Sequence, residues 1–350
     1  MSVGVHQSTC TDRDTFCDQY KGWPCAGPFL LAGLPVTEET SLSGLECKYA
    51  MTLFEPVCVA PTSCLFGRSP LWSASEGFLW WSDFKRAKLH RFNPKTGNTR
   101  RYDLPLRASC SVLTEGRLLL AGDRQIGIYD PETEDFERLV TLGDEPEGNR
   151  TNDGAIGPDG RFWFGTMDAS GELQRGRYYR LAKDGVPEKL ALPDVLITNT
   201  FEFSPDGSVF YTADTVEQEI HAYDHDTETG ELGPKRVFAS TVVEGGGSPE
   251  GSAIDQEGFL WNAQSDSASL VRYRPDGQID RVVKLPVSRP TGCAFGGRDL
   301  RTLYITTARS GLSKSRLDRE PLAGSLFAID VDIPGLKVRE WGQKASGGAE

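Results

Sequence analysis

The stretch Gly160-Arg161-Phe162-Trp163 decides the fold, because its pattern recurs along the chain. In each copy a polar turn that ends near glycine is followed by three or four apolar or aromatic residues, and then by small or polar ones. The other copies are Gly77-Phe78-Leu79-Trp80, Gly116-Arg117-Leu118-Leu119, Gly207-Ser208-Val209-Phe210, Gly258-Phe259-Leu260-Trp261 and, without the glycine, Arg301-Thr302-Leu303-Tyr304. Successive copies begin 39, 44, 47, 51 and 43 residues apart, which indicates a repeated structural unit.

A second signal lies between these copies. It is a strand pattern that ends in a turn, as in His90-Arg91-Phe92-Asn93-Pro94-Lys95-Thr96-Gly97, and it returns at Ile128-Tyr129-Asp130-Pro131. Each unit therefore holds several short strands separated by turns. About four strands in roughly 40 to 50 residues are typical of a propeller blade, so the sequence predicts an all-β, six-bladed β-propeller. Two β-sandwich domains are the alternative, but they do not account for the even spacing.

The ends of the chain complete the predicted domain organisation. Residues 50–59 form a strand pattern before the first blade and could pair with residues 325–331, which would close the ring and remove its free edges. The predicted organisation is a Cys-rich, loosely ordered extension over 1–46, the propeller over 47–340 and a polar tail over 341–350.

Composition excludes several classes of protein. The chain has 38 basic and 50 acidic residues, a net charge of −12, which argues against nucleic-acid partners and against a membrane surface. No apolar run approaches the ~18 residues of a membrane span, and the N-terminus lacks a secretory signal, so we expect a cytoplasmic protein. Six of the eight cysteines precede residue 65. They could form disulfides or bind zinc, although no pair has zinc-site spacing, and unpaired thiols are the favoured interpretation.

The motif census restricts the chemistry further. Gly-x-Ser-x-Gly, phosphate-binding loops and His-Glu-x-x-His are absent from the sequence, which removes the usual signals of a serine hydrolase, a nucleotide enzyme and a histidine-based zinc hydrolase. Any metal would be bound by carboxylate and amide oxygens. Three polar segments contain Asn152, Asn199 and Glu250. Each of these residues lies 8 residues before the glycine that begins a copy of the first pattern, and we call each such copy a blade signal. Because the blades are stacked around one axis, equal offsets predict that these three side chains lie at equivalent positions around that axis.

Longer motifs carry a family resemblance. Asn149-Arg150-Thr151-Asn152-Asp153-Gly154, Ile197-Thr198-Asn199 and Ser248-Pro249-Glu250-Gly251 occur in order, each followed by its blade signal. Over residues 50 to 335 the chain resembles the regucalcin/gluconolactonase/luciferin-regenerating-enzyme family, and its bacterial sugar-lactonase branch in particular. The resemblance implies a six-bladed propeller that opens small-molecule lactones with the help of a divalent metal, such as Ca, Mn, Zn, Mg or Fe.

The resemblance also implies roles for single residues. Asn199 and Glu250 fall on the family's metal ligands, and Glu250 is also the expected base. Arg150 and Asn152 fall on substrate-contacting positions, and Glu172 matches a third such position across a loop of variable length.

Arg68 departs from the family pattern. It stands where the family has a metal-binding glutamate, and a guanidinium has no lone pair to donate to a metal. Either another oxygen, such as that of Glu202, rescues the site, or Arg68 supplies the positive charge itself and contacts the substrate. We expect Arg68 to lie within ion-pair reach of Glu250 and to weaken divalent-metal binding. Three hypotheses follow: a metal-assisted lactonase, a metal-independent member that acts on a different substrate through Arg68, and a non-catalytic ligand-binding propeller.

Overall fold

A computed structural model describes residues 53–242 and 246–343, and it consists almost entirely of strands. The predicted extension over 1–46 and the last residues of the predicted tail, 344–350, lie outside the described residues. None of the helices in the two described ranges has the length and apolar character that a membrane span needs.

The strands form six antiparallel four-stranded sheets, which confirms the predicted six-bladed propeller. The first five blades are β2–β5 (Gly67–Ser73, Phe78–Asp83, Lys88–Asn93, Asn98–Asp103), β6–β9 (Ala108–Thr114, Arg117–Gly122, Gln125–Tyr129, Phe136–Thr141), β10–β13 (Asn149–Ile156, Phe162–Asp168, Tyr178–Leu181, Pro187–Lys189), β14–β17 (Thr198–Phe203, Val209–Asp214, Glu219–Asp224, Arg236–Ser240) and β18–β21 (Ser248–Ile254, Leu260–Ser265, Ser269–Tyr273, Ile279–Lys284). The sixth joins β22–β24 (Pro290–Gly296, Thr302–Thr307, Leu326–Asp330) to β1 (Val57–Ala60). A 3-10 turn spans Phe84–Arg86, and one short helix, α1, spans Lys314–Arg319.

The ring closes as the sequence predicts. β1 pairs antiparallel with β24, with Val57 opposite Ala328, so the N-terminal strand completes the last blade and covers its edge.

Each blade signal marks the start of the second strand of a blade. The preceding glycine adopts a positive φ, for example 76° at Gly160, a conformation that glycine reaches without steric cost. In the sixth blade Leu300 takes this place with a φ of 58°, which explains why the pattern continues there without glycine.

The first strand of each blade contacts the first strands of the two neighbouring blades, and together these six inner strands line the axis. Aromatic side chains fill the space between blades. Trp163 of β11, which is fully buried, lies edge-on to Phe203 of the next blade at 5.3 Å between ring centroids. Such packing holds the inner strands in fixed relative positions.

The C-terminal segment packs against the propeller. Trp341 is buried among side chains of the second and third blades and donates a hydrogen bond to the Leu181 carbonyl at 3.1 Å. The predicted boundary at 340 therefore does not match the packing, because a single large apolar side chain within a polar stretch is enough to anchor it.

Candidate functional site

Every inner strand has a break in its pairing of the kind that a β-bulge produces. The pairing of each inner strand with its neighbour shifts register at one point. Two residues at these points, Ser69 and Thr200, have φ values of 50° and 56°, which are uncommon for side chains of this kind. Extra residues of this sort re-aim side chains, and they are frequent beside active sites. The shifts lie at Arg68/Leu71, Ala108/Cys110, Thr151/Gly154, Asn199/Glu202, Pro249/Ser252 and Pro290/Gly292.

Five of the six predicted site residues meet beside these bulges. We call Arg68, Arg150, Asn152, Asn199 and Glu250 the site cluster; they come from four different blades. Hydrogen bonds connect all five in one network.

Asn152 is the point at which two arginines meet. Its Oδ1 accepts hydrogen bonds from Arg68 Nη1 at 2.6 Å and from Arg150 Nη1 at 2.7 Å. Its Nδ2 donates to the Thr198 carbonyl at 2.7 Å. Because both groups of the amide have partners of the correct kind, its orientation is determined by the network.

Asn199 connects Arg68 to Glu250. Its Oδ1 accepts from Asn152 Nδ2 at 3.3 Å and from Arg68 Nη2 at 3.5 Å. Its Nδ2 donates to Glu250 Oε2 at 3.2 Å and to Thr215 Oγ1 at 2.7 Å. The amide therefore presents its nitrogen, and not its oxygen, to the carboxylate.

Arg68 and Glu250 form no direct ion pair in the described part of the chain, so the expected contact is wrong. Arg68 directs Nη1 to Asn152, and the Asn199 amide lies between the two charged groups. Arg68 is 4% exposed, and its Nε has no hydrogen-bond acceptor among the described residues. An unpaired buried donor is costly, so this atom is suited to receive an oxygen of a substrate.

Burial sets the protonation of Glu250. It raises the pKa of this carboxyl to about 7; the Arg68 guanidinium opposes the increase, and the Asp153 carboxylate adds to it. A carboxyl with a pKa near neutrality can accept a proton and later return it.

A cavity of about 160 Å³ is lined by residues that follow the site cluster along the same inner strands. Arg68 forms part of its wall, and the C-terminal segment from Leu336 to Arg339 contributes another part. Asp153 and Glu202 also line this inner cavity. Burial raises the pKa of Glu202 to about 8, against the effect of Arg339. Glu202 lines this cavity, whereas neither Asn199 nor Glu250 does, so the geometry gives no support to its predicted role as a replacement metal ligand.

Glu172 lies apart from the site cluster. It is exposed in the loop after β11, and its backbone nitrogen donates to Asp168 and Ser170. No hydrogen bond joins it to the site cluster among the described residues, and its role as a substrate contact remains a prediction.

The donor set does not fit a divalent metal at the position that the resemblance implies. A metal would need oxygens of Asn199 and Glu250 directed to one point, whereas Asn199 directs its nitrogen to Glu250 and its oxygen to Arg68. The buried Arg68 cation repels a divalent ion as well. A separate group of possible ligands, Glu217, Glu219 and His221, lies at and beside β16. There the positively charged Lys235 ammonium is 3.5 Å from His221 Nε2, where it opposes the binding of a cation.

Sequence reasoning missed three contributors to the site. Asp153 follows Asn152 directly and affects the pKa of Glu250, so the motif itself contained the signal. Thr215 supports Asn199 and donates to the Pro249 carbonyl at 2.9 Å. Phe84 lies under Arg150, with 4.6 Å between the guanidinium carbon and the ring centroid. The contacts of Thr215 with Pro249 and of Phe84 with Arg150 cross blades, and nothing in the sequence pattern links either residue to the site.

Comparison with known proteins agrees with this architecture. The family described as SMP-30/Gluconolactonase/LRE-like region matches residues 66–309. A 6-deoxy-6-sulfogluconolactonase of Pseudomonas putida is 36% identical over 79% of this chain and 95% of its own length. An L-arabinolactonase of Azospirillum brasilense is also 36% identical, over 79% and 92%.

A solved structure gives the same result. That of a regucalcin from Agrobacterium tumefaciens, described as a calcium-binding protein, has a TM-score of 0.77 at 29% identity and covers 81% of this chain and 96% of its own.

Proposed function

The chain belongs to the SMP-30/gluconolactonase/LRE-like family, and from this we propose that it is a hydrolase that opens sugar lactones at the site cluster. The observation that carries the proposal is the Asn199 amide, which connects a buried cation, Arg68, to a buried carboxyl, Glu250, whose pKa is about 7. Relatives named as sulfogluconolactonase and arabinolactonase, each 36% identical, support a sugar lactone as the substrate.

Glu250 acts as the base in the proposed reaction. It accepts a proton from a water molecule, whose oxygen attacks the lactone carbonyl carbon and forms a tetrahedral oxyanion. The C–O bond of the ring then breaks, and Glu250 returns the proton to the ring oxygen that leaves. One lactone and one water give one hydroxy acid, which releases its own acid proton near neutral pH.

Arg68 supplies the positive charge in this scheme. Its guanidinium is buried beside Glu250 without a direct ion pair, and its Nε has no acceptor among the described residues. The lactone carbonyl oxygen would accept a hydrogen bond from this arginine, which stabilises the oxyanion more strongly than the neutral carbonyl. Although a relative is described as calcium-binding, we assign this role to Arg68 because the orientation of Asn199 and the charge of Arg68 oppose a divalent ion there.

A lactone panel tests the proposal. Proton release is followed with D-glucono-1,5-lactone, D-galactono-1,4-lactone, L-arabinono-1,4-lactone and the acidic D-glucaro-1,4-lactone, and the spontaneous rate is subtracted. We expect hydrolysis of at least one lactone well above the spontaneous rate. If no lactone is opened while sugar lactones still raise the melting temperature, the protein is a ligand-binding propeller and the proposal is wrong.

A further inference from the structure

The charge around the site cluster differs from that of the whole protein. The chain carries a net charge of −12, yet two arginines, Arg68 and Arg150, converge on one oxygen of Asn152. A third, Arg107, lies near the same Phe84 ring as Arg150, with 5.5 Å between its guanidinium carbon and the ring centroid. Like charges placed this close repel one another, and a negatively charged ligand would relieve that repulsion.

No described carboxylate forms an ion pair with Arg150, although the charges of Asp123 and Glu250 act on it from a distance. Asp123 accepts a hydrogen bond from Arg107 Nε at 2.9 Å, and Glu250 is bound by Asn199. Burial, followed by the charges of Arg68 and Arg107, lowers the pKa of Arg150 to about 9. The guanidinium is therefore held in a positive environment that disfavours its own charge.

Arg150 has one side available to a ligand. Only Nη1 is used within the protein, as donor to the Thr151 carbonyl at 2.9 Å and to Asn152 at 2.7 Å. Nε and Nη2 donate to no acceptor among the described residues. The Phe84 ring below the guanidinium fixes its plane. The free pair of N–H groups matches the geometry of two oxygens on one carboxylate, sulfonate or phosphate.

We propose that Arg150 binds a second, negatively charged group of the lactone, so that the substrate is an acidic sugar lactone. This inference rests on the proposed lactone hydrolysis. Arg68 contacts the carbonyl that reacts, and Arg150, which meets Arg68 at Asn152, contacts an oxyanion group elsewhere on the same ring. Specificity then arises because a neutral lactone leaves the N–H groups at Nε and Nη2 of Arg150 without an acceptor.

Two substrates that differ only in charge test the inference: D-glucaro-1,4-lactone, which carries a carboxylate, and its 6-carboxamide. For the wild type we expect a kcat/KM at least about tenfold higher for the acid, as for hydrogen bonds to a charged group, and the ratio should decrease as salt increases. Arg150→Gln should remove the preference mainly by raising KM for the acid, so that the ratio of kcat/KM between acid and amide falls toward one. Arg107→Gln is the matched control, because Arg107 Nε and Nη2 both donate to Asp123 and so have an acceptor within the protein, and it should retain most of the preference.

The outcomes separate this inference from the proposed function. Equal kcat/KM for acid and amide in the wild type, or a preference that survives Arg150→Gln in a folded variant, would overturn the inference while lactone hydrolysis stands. If neither of these compounds nor any lactone of the panel is hydrolysed, the proposed function fails. The inference is then tested by calorimetry, which measures the affinity of the wild type and of Arg150→Gln for the acid and for the amide. Tighter binding of the acid by the wild type alone supports the inference, and equal affinities in the wild type, or a preference that Arg150→Gln retains, overturn it.

Discussion

Two glutamates on the inner strands are each influenced by an arginine: Glu250 by Arg68 of β2, and Glu202 by Arg339 of the C-terminal segment. In the site cluster, burial raises the pKa of Glu250 to about 7 against the effect of Arg68. In the inner cavity, burial raises the pKa of Glu202 to about 8 against the effect of Arg339. Neither glutamate forms a direct ion pair with its arginine among the described residues. They differ in what surrounds them: Glu250 is connected to Arg68 through Asn199, whereas Glu202 has no such bridge.

This difference shows that a raised carboxyl pKa is not enough to identify a catalytic group. Burial produces such a shift wherever a carboxyl faces an enclosed space. A hydrolytic base must also lie beside a group that stabilises the oxyanion, in a fixed geometry. In this protein the amides of Asn152 and Asn199 provide the geometry for Glu250, and nothing equivalent surrounds Glu202 in the described chain. The same substitution can therefore be made at both glutamates, or at both arginines, and its effects on hydrolysis compared.

The largest effect is expected from the two glutamates. Glu250→Gln removes the proposed base and should lower kcat/KM for an active lactone by roughly 10²- to 10⁴-fold. Glu202→Gln makes the same chemical change in the inner cavity and should retain most of the activity. Steady-state rates of both variants, with circular dichroism to verify folding, measure the difference. An equal decrease in the two variants would mean that Glu250 has no special role.

The two arginines give the next largest effect. Arg68→Gln removes the cation beside the reacting carbonyl, and kcat should decrease by roughly 10²- to 10³-fold, as when an oxyanion donor is lost. The pH at which activity appears should also rise, because Arg68 lowers the pKa of Glu250. Arg339→Gln serves as the control. Were both substitutions to leave kcat intact, Arg68 would be structural.

Metal binding should change when Arg68 is replaced by the family's residue. Arg68→Glu adds a carboxylate and removes the repulsion, so calcium should bind at least about tenfold more tightly. The comparison is made by calorimetry in an His221→Gln background, because Glu217, Glu219 and His221 could bind the ion elsewhere. Equal or tighter binding by the protein that retains Arg68 would contradict the proposed role of its charge.

The smallest expected effect is a displacement of the pH profile. Glu250 must be ionised to act as a base, and burial raises its pKa to about 7, so kcat/KM should decrease as the pH is lowered through that region. Asp153 contributes to the increase in the pKa of Glu250. Asp153→Asn should therefore move the acid limb of the profile of kcat/KM against pH to lower pH, whereas Glu202→Gln should not move it. If the acid limb does not move in Asp153→Asn, the group that titrates is not Glu250.

Much of this architecture could be predicted from the sequence. Turn glycines such as Gly160 mark the second strand of five of the six blades, because a positive φ is needed at a tight turn. The equal offsets of Asn152, Asn199 and Glu250 predicted their meeting, because stacked blades repeat the same geometry. The pairing of β1 with β24 followed from the need to close the ring.

Contacts between blades could not be predicted in this way. The position of Asn199 between Arg68 and Glu250 depends on bulges whose extra residues leave no clear pattern in the sequence. The packing of Trp341 against the second and third blades joins residues far apart in the chain. Single-chain patterns report local structure, whereas these features are determined by long-range packing.

In the proposed mechanism Arg68 takes the place of a metal in lactone hydrolysis, and the most direct test of this role is kcat/KM after metal removal. The purified enzyme is treated with EDTA, desalted into metal-free buffer and assayed on an active lactone with and without added calcium, manganese or zinc. We expect kcat/KM to remain the same within experimental error in all cases. Loss of activity on chelation and its recovery with one of these ions would contradict this role of Arg68.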